Sequence, residues 1–276
     1  MQPATPAPVD PRGTTGAAGG AGLATPPCVR ELTTLLVLTL TLAFATACGD
    51  ASPPGNAHLW PAPVAYAPED LSNVLGDWLA QHGRVDLLVN NAGVALAGDF
   101  DQIGLDDFEW LMAINFWGPV RMCKAFMPLL RQRPAAHIVN ISSLFGLISP
   151  AGQTAYCAAK FGVRGFSESL MHELEETEIG VTVVHPGGVR TNIATGARIP
   201  AGANSPDLAE RMQKFNTLLT IEPKDAAREI IDGAEKRAAR VLIGKDARRG
   251  DFLQRLMPVR YWKIMKKRAE AALNGV

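Results

Sequence analysis

The sequence has little of several features that mark particular classes of protein. Its 276 residues include only four cysteines, and the spacings of Cys28, Cys48, Cys123 and Cys157 fit neither a zinc site nor a disulfide framework. The formal net charge is zero, so no basic field indicates a nucleic acid partner and no acidic excess indicates disorder. No internal repeat is present, which argues against a solenoid or a propeller. We therefore expect neither a metal site nor binding to nucleic acid.

Long apolar runs are also scarce. Residues 35–47 (LLVLTLTLAFATA) form an apolar run that is too short to span a membrane comfortably. Apolar residues nevertheless make up 47% of the chain, which is enough for a sizeable core. The length suits one large domain or two small ones.

The composition changes along the chain and divides it into three parts. Residues 1–66 are rich in Pro, Gly and Ala, and the first 27 of them cannot bury enough surface to become ordered alone. Residues 67–250 have regular apolar patterning and form the expected core domain. Residues 251–276 mix basic with apolar residues. Cys123 and Cys157 lie in apolar helical stretches of the core, where buried thiols are expected.

Short apolar strands alternate with long helices in the core domain. The predicted strands are residues 85–89, 137–141, 181–184 and 240–243. Apolar spacing predicts helices over residues 71–82, 108–130, 154–176 and 223–236. Strands buried on both faces read as continuous apolar runs, as these do. The pattern predicts an α/β fold, a single-domain, doubly wound parallel sheet like the Rossmann fold, whose first strand the sequence leaves undefined.

Polar clusters follow three of these strands. They are residues 90–93 (NNAG), the pair Ser142 and Ser143, and residues 186–191 (PGGVRT). Ligands of an open parallel sheet bind beyond the carboxyl ends of its strands, so we expect a site where these clusters meet.

Tyr156 and Lys160 are four residues apart and share one face of a predicted helix. A nearby ammonium favours the phenolate, so we expect Lys160 to lower the pKa of Tyr156 and make it a general acid or base. The hydroxyl of Ser143 could donate to a substrate oxygen that gains negative charge. Alternatively, the Tyr–Lys spacing arises by chance, and Ser142 and Ser143 begin a loop or cap a helix, an interpretation that suits Ser142 better.

The spacing of Ser143, Tyr156 and Lys160 resembles the active site of the short-chain dehydrogenase/reductase family. Asn115, within AINFWG, resembles the helix asparagine that this family uses in a proton relay. Residues 90–93 resemble its NNAG motif, with Asp86 as the aspartate that commonly precedes it, and residues 186–191 resemble its PG motif and following threonine. These elements occur in family order over residues 69–245.

The resemblance implies an NAD- or NADP-dependent oxidoreductase that acts on a secondary alcohol or ketone, with an apolar substrate. Tyr156 would exchange a proton with the substrate oxygen, and Lys160 would lower its pKa and bind the nicotinamide ribose. Ser143 would polarise the substrate oxygen, and Asn115 would position a water that links Lys160 to solvent. The implied cofactor-binding residues are Gly16, Gly20, Gly22, Asn90, Ala92, Gly93, Tyr156, Lys160, Pro186, Gly187 and Thr191.

The N-terminal segment admits three interpretations. Residues 15–22 (TGAAGGAG) resemble the family's TGxxxGxG turn, and residues 35–42 lie where its second strand belongs, but prolines flank the turn. The segment is a diverged cofactor-binding half, an N-terminus altered by a frame or start error, or an export signal with a lipoprotein-like box at residues 45–48. If the cofactor half is compromised, the chain would be an inactive binding or structural relative. We expect no strand within residues 1–13 and a cytoplasmic location, with an exported lipoprotein as the alternative.

The C-terminal third carries two further expectations. Residues 195–219 lie where the family has its substrate lid. Residues 252–267 (FLQRLMPVRYWKIMKK) predict an amphipathic basic helix that either packs on its own domain or touches a membrane, a lipid-like substrate or a partner subunit.

The two long helices predict a homodimer or homotetramer. A helix that is apolar on more than one side needs more than one partner surface, and in this family these helices commonly pack against their copies. The apolar positions that we expect to be available for this contact are Trp117, Met122 and Phe126 in the first helix and Phe161, Val163, Phe166 and Leu170 in the second.

Overall fold

The computed structural model describes residues 83–200, residue 203 and residues 206–274, together with the isolated helical residues Gly76 and Ala80. The segment of residues 1–66, with its glycine-rich turn, second strand and three interpretations, lies outside the described residues. So does the helix predicted over residues 71–82, apart from those two positions. Gly83, which directly follows the predicted helix, has a φ of +69° that suits glycine.

Four parallel strands form the sheet in the described part of the chain. They are β1 (Leu87–Asn90), β2 (Ala136–Ile141), β3 (Ile179–Pro186) and β4 (Arg240–Ile243), and their spatial order is β1-β2-β3-β4. Asn90 of β1 lies opposite Asn140 of β2, and Ile141 lies opposite Val184 of β3. Consecutive parallel strands require a crossover on each connection, which the helices provide. The predicted parallel sheet is confirmed.

Seven α-helices accompany this sheet among the described residues. They are α1 (Leu105–Met112), α2 (Gly118–Leu130), α3 (Thr154–Glu173), α4 (Pro206–Thr217), α5 (Pro223–Glu235), α6 (Gly244–Leu256) and α7 (Tyr261–Asn274). A π-helical segment, Ala113–Trp117, joins α1 to α2. Two short 3-10 turns, Phe100–Gln102 and Leu144–Gly146, complete the helical elements. None of the described helices has both the length and the apolarity to cross a bilayer.

The C-terminal segment differs from the single amphipathic helix that we predicted. Helix α6 ends at Leu256 and helix α7 begins at Tyr261, with a turn over residues 257–260 between them. Pro258 stands in this turn. Proline has no backbone N–H to donate, and its ring clashes with the preceding helical turn, so one continuous helix is disfavoured here.

The sheet is covered on both faces, as the doubly wound prediction requires. Ile138 and Val181 belong to a core cluster that includes Phe126 of α2, whereas Val139 and Val184 belong to a second cluster that includes Ala226 of α5. Neighbouring residues of a strand point to opposite faces, so α2 and α3 cover one face and α5 covers the other.

Two of the apolar residues that we expected on outward helix faces are buried in the core, and three more, Met122, Phe166 and Leu170, pack against it. Phe126 and Val163 are buried, and Phe126 packs against the sheet. Trp117 is exposed, and its ring contacts Phe116 edge-on with the centroids 5.1 Å apart. With 3.6 residues per turn, some apolar residues of each helix face the sheet and others face away. Only the tertiary contacts decide which residues face the sheet.

Helix α3 approaches the loop after β2 very closely. The hydroxyl of Ser142 donates to the carbonyl of Lys160 over 2.8 Å. Gly146 faces the same carbonyl, since a Cβ at this position would lie 2.8 Å from the Lys160 oxygen and closer still to the Ser142 Oγ. Helix and loop can therefore be in contact only if residue 146 has no side chain.

We predict that Gly146→Ala lowers the free energy of unfolding by about 2 kcal/mol, because the methyl group must push backbone atoms of α3 apart from the loop. Urea denaturation followed by circular dichroism measures the change. Gly165→Ala in the same helix is the matched control, since no atom lies within 4 Å of the added Cβ. It should raise stability by about 0.5–1 kcal/mol. Equal stability of the two variants would contradict the inferred close contact.

Candidate active site

The carboxyl edge of the sheet brings the three polar clusters together. Asn90 ends β1, Ser142 and Ser143 follow β2, and Pro186 ends β3. The backbone N–H of Ser142 donates to the carbonyl of Val184 over 2.8 Å, which extends the pairing of β2 and β3 up to the loop. The expectation that these residues share one edge is confirmed by the sheet topology.

Helix α3 carries Tyr156 and Lys160 to this edge. The Lys160 side chain is only 3% exposed, and its Nζ donates to the carbonyl oxygen of Ile141 over 3.0 Å. The same Nζ lies 5.7 Å from the centroid of the Tyr156 ring. Lysine is thus held at the end of β2, within cation–π distance of the tyrosine.

The pKa of Tyr156 differs from our expectation. Burial raises the pKa of this phenol to about 12, and the nearby Ser143 hydroxyl lowers it only in part. Burial also lowers the pKa of Lys160 to about 8, because an ammonium loses hydration there. The ammonium donates to the Ile141 carbonyl, and burial of the phenol decides the direction of the Tyr156 pKa shift.

The capping role that we expected for Ser142 belongs to Ser143. Ser143 caps the 3-10 turn Leu144–Gly146, and its Oγ accepts a hydrogen bond from the Phe145 N–H over 3.1 Å. Ser142 is buried, and its hydroxyl donates to the carbonyl of Lys160. The capping bond uses a lone pair of Ser143 and leaves its O–H available as a donor. Ser143 can therefore cap the turn and still donate to an oxygen beside Tyr156.

Asn115 lies in the π-helical segment and is fully buried. Its Oδ1 accepts from the N–H of Val94, and its Nδ2 donates to the carbonyl of Val94, each over 2.8 Å. The amide thus clamps the backbone immediately after Gly93. Single π-helical turns often occur at functional sites, where the extra residue redirects a side chain.

The side chain of Asn90 belongs to a buried polar network between the sheet and the helices. Its Nδ2 donates to Asn140 Oδ1 over 2.7 Å and to Cys123 Sγ over 3.3 Å. Asn140 in turn donates to Ser167 of α3 over 2.9 Å. Burial raises the pKa of Cys123 to about 12, so this thiol is neutral. Ala92 and Gly93 are half-buried beyond the strand, and Asn91 is exposed.

Asp246 orders the turn after β3, and the sequence reasoning missed it. The N–H of Gly187 donates to Ile243 over 3.0 Å, and that of Gly188 donates to Asp246 Oδ2 over 2.6 Å. The Asp246 carboxylate occupies the space that a side chain at residue 187 would need. Thr191 is exposed at the end of this turn. An aspartate in the first turn of α6 was the available signal, but such residues are common.

Two buried histidines were also missed. His185 of β3 donates from Nδ1 to the carbonyl of Ser143 over 2.9 Å. His137 of β2 donates from Nε2 to Thr182 Oγ1 over 2.8 Å, because the Thr182 proton is given to the carbonyl of Ala238. The other ring nitrogen of each histidine has no partner among the described residues. Burial therefore lowers both pKa values to about 4.

Aromatic residues border the site beyond Tyr156. The Phe145 ring meets the Tyr156 ring edge-on at 6.1 Å, and Phe215 of α4 lies 6.4 Å from Phe145. The α4 region is linked to the rest of the domain by Arg198, which pairs with Asp107 over 2.9 Å. No cluster of potential metal ligands occurs within the described ranges.

Comparison with known families identifies a match over most of this chain. The model of the short chain dehydrogenase family matches residues 14–200. SadH of Mycobacterium tuberculosis, named as an oxidoreductase, is 41% identical over 189 residues, which are 68% of this chain and 68% of SadH. Dehydrogenase/reductase SDR family member 7B of Rattus norvegicus is 31% identical over 252 residues, which are 88% of this chain and 72% of that protein.

Solved structures of the same family resemble the fold. A short-chain dehydrogenase from Streptomyces avermitilis has a TM-score of 0.61 at 32% identity and covers 74% of this chain and 77% of its own. A short chain dehydrogenase/reductase from Burkholderia phymatum, in complex with NAD, has a TM-score of 0.63 at 25% identity and covers 70% of this chain and 73% of its own. A short chain dehydrogenase from Mycobacterium paratuberculosis, bound to NAD, has a TM-score of 0.56 at 27% identity and covers 67% of this chain and 72% of its own.

The buried histidines predict that stability falls in mild acid. Their folded pKa values of about 4 lie below the unfolded value of about 6.5, so the stabilisation is complete above pH 6.5 and is lost as the pH falls towards 4. Each histidine contributes roughly 3 kcal/mol to the complete loss, of which roughly 2 kcal/mol falls above pH 5. Urea denaturation at several pH values between 7 and 5, above most carboxyl titrations, measures it.

A donor-preserving variant is the control for this prediction. In His137→Gln the amide replaces the Nε2 donor, and in His185→Asn it replaces the Nδ1 donor. The double variant should therefore lose most of the slope between pH 6.5 and 5. An unchanged slope would mean that other groups cause the acid sensitivity.

Proposed function

The chain belongs to the short-chain dehydrogenase/reductase family, and on this premise we propose that it catalyses hydride transfer between a nicotinamide cofactor and a secondary alcohol or ketone. The observation that carries the proposal is the convergence of Ser143, Tyr156 and Lys160 at the carboxyl end of β2. A proton donor, a hydroxyl donor and a buried ammonium are the groups that such a reaction requires from the protein.

Tyr156 supplies the proton in the direction of ketone reduction. A pKa of about 12 keeps the phenol protonated at neutral pH, so it can donate to a substrate oxygen that gains negative charge. Ser143 donates a second hydrogen bond to that oxygen, because its capping bond leaves the O–H unused. The carbonyl of Ser143 accepts from the buried His185, which makes His185 a positioning residue for this hydroxyl.

Lys160 and Asn115 act behind the tyrosine. Lys160 remains charged at neutral pH with a pKa of about 8, and its charge favours the phenolate that is left when Tyr156 has given up its proton. Each polar atom of the Asn115 amide can make one hydrogen bond beyond those to Val94. We propose that these remaining hydrogen bonds hold a water molecule, and that this water passes a proton from solvent towards Lys160.

The residues at this edge fit a nicotinamide cofactor, NAD or NADP. A Cβ at Gly93 would lie 3.4 Å from Asn115 Oδ1 and 3.5 Å from Lys160 Nζ, so the glycine keeps open the space in front of both groups. When bound, the cofactor supplies the hydride. We propose that it is held by Asn90, Ala92, Gly93, Tyr156, Lys160, Pro186, Gly187 and Thr191. Gly16, Gly20 and Gly22 are proposed for the pyrophosphate and lie outside the described residues, within the span of the family match.

An apolar substrate is supported by the surroundings of Tyr156. Phe145 and Phe215 form an aromatic border beside the phenol, and Leu218, just after α4, is exposed. We therefore propose that α4 and its flanking loops form the lid over an apolar substrate. A cytoplasmic location accompanies this proposal, because nicotinamide cofactors are intracellular.

Calorimetry and turnover assays test the enzyme against the inactive alternative. The purified chain is titrated with NADH and with NADPH, and the oxidation of each is followed with a panel of apolar ketones. We expect saturable binding of one of the two cofactors and turnover with at least one ketone. Cofactor binding without turnover, or no cofactor binding, would support an inactive binding or structural relative.

We predict that Tyr156→Phe lowers kcat by at least about 100-fold, because the variant loses the proton donor and keeps the ring. The cofactor Kd should change less than about threefold, since no cofactor contact beyond one hydroxyl is removed. Tyr261→Phe is the matched control. Its hydroxyl only accepts a bond from the N–H of Ser149, so kcat should stay within about threefold of wild type. Similar kcat values for both variants would contradict the assignment.

We propose that the chain assembles as a homodimer or homotetramer through α2 and α3. The exposed indole of Trp117 and the exposed small residues Ala158 and Gly165 support this surface. We predict a sedimentation-equilibrium mass of at least twice 29.5 kDa at micromolar concentration, and a shift of Trp117→Glu towards the monomer. A monomeric wild type would refute the assembly and leave the proposed chemistry intact.

A further inference from the structure

The end of α6 exposes three large apolar side chains close together. Phe252 is 63% exposed and Leu256 is 64% exposed, and their spacing of four residues puts both on one side of the helix. Val259, in the turn that follows, is 89% exposed. We call these three residues the C-terminal patch. Single exposed apolar residues are ordinary, but a contiguous group at a helix end indicates a contact surface.

Positive charge surrounds the C-terminal patch. Residues 252–268 contain six basic residues and no acidic residue, although the whole chain has no net charge. Arg249, Arg260 and Lys263 are exposed, and none of them forms an ion pair with any residue in the described ranges. Arg255 is paired with the buried Asp251. The charges of Arg249, Arg260 and Lys263 are therefore not neutralised by the described carboxylates of the domain.

We propose that the C-terminal patch docks the protein onto an anionic lipid surface. Apolar side chains at a helix end enter the boundary between headgroups and acyl chains, and surrounding lysine and arginine residues are attracted to anionic headgroups. A second copy of the chain fits this surface less well. A two-fold contact would set the basic residues of one patch against those of the other.

The docking surface lies on the outer side of a helix whose inner side touches the site loop. A Cβ at Gly250 of α6 would lie 2.6 Å from Leu144 Cδ1, so the helix packs directly on the turn capped by Ser143. The hydroxyl of Tyr261, which begins α7, accepts from the N–H of Ser149 over 3.0 Å. A membrane bound at the patch would thus be separated by helix α6 from the loop that leads from Ser143 to Tyr156.

Vesicle flotation of the full chain tests the docking proposal. Vesicles of phosphatidylcholine with about one third phosphatidylserine are compared with vesicles of phosphatidylcholine alone. We expect the chain to float with the anionic vesicles, and high salt to weaken this binding because it screens the attraction. The double variant Phe252→Ser/Leu256→Ser and the triple variant Arg249→Glu/Arg260→Glu/Lys263→Glu should each bind at least about tenfold more weakly.

Matched variants elsewhere on the surface control for general loss of apolarity or charge. Phe100 and Leu105 are 65% and 72% exposed, so Phe100→Ser/Leu105→Ser removes a similar exposed pair. Arg131→Glu/Lys224→Glu/Lys236→Glu makes the same change of charge at exposed positions. Both controls should bind the anionic vesicles like wild type. Unchanged melting temperatures of all variants establish that they are folded.

Three results would overturn the proposal. The first is equal flotation with both kinds of vesicle or with neither. The second is anionic binding that the patch variants retain, which would attribute the binding to another segment such as residues 35–47. The third is a patch variant that changes the sedimentation mass and not the lipid binding, which would make the patch an interface between copies. None of these results depends on turnover, so the outcome is separate from that of the proposed function.

Discussion

The contact between helix α3 and the end of strand β2 is the constraint on which the rest of the site depends. The Ser142 hydroxyl donates to the carbonyl of Lys160, and the Lys160 ammonium donates to the carbonyl of Ile141. The two bonds run in opposite directions between strand and helix, and the glycine at residue 146 allows the approach. They set the position of the whole first half of α3, and with it the place of the phenol of Tyr156.

The interior around this contact is polar but uncharged, apart from Lys160. Hydrogen bonds join Asn90, Asn140 and Ser167 across two strands and a helix, although Asn90 Oδ1 has no partner among the described residues, and the two histidines are neutral. Buried polar groups are costly unless they are paired, and a neutral network costs less than a charged one. Lys160 is therefore the one basic side chain buried in the described core that carries a positive charge.

The pKa values of Tyr156 and Lys160 have a common cause. Loss of water disfavours the charged form of each group, so the phenol titrates higher and the ammonium lower than in solution. In the proposed reaction, a tyrosine that holds its proton would suit donation to a ketone. A lysine whose pKa remains above neutral would keep the charge that stabilises the resulting phenolate.

The sequence by itself determined the parallel α/β architecture, because buried strands and long amphipathic helices leave a periodic signal, and it also determined the family resemblance from which the candidate site residues are proposed. The four predicted strands and most helix positions follow from that signal, whereas Ser143, Tyr156 and Lys160 were singled out by their resemblance to a family motif. Only the tertiary structure decided what depends on contacts between distant segments. The roles of Ser142 and His185, the support of Gly188 by Asp246, the burial of Phe126 and Val163, and the raised pKa of Tyr156 all arise this way. Such effects leave no periodic pattern in the sequence, because burial and hydrogen bonding depend on residues that come into contact only when the chain has folded.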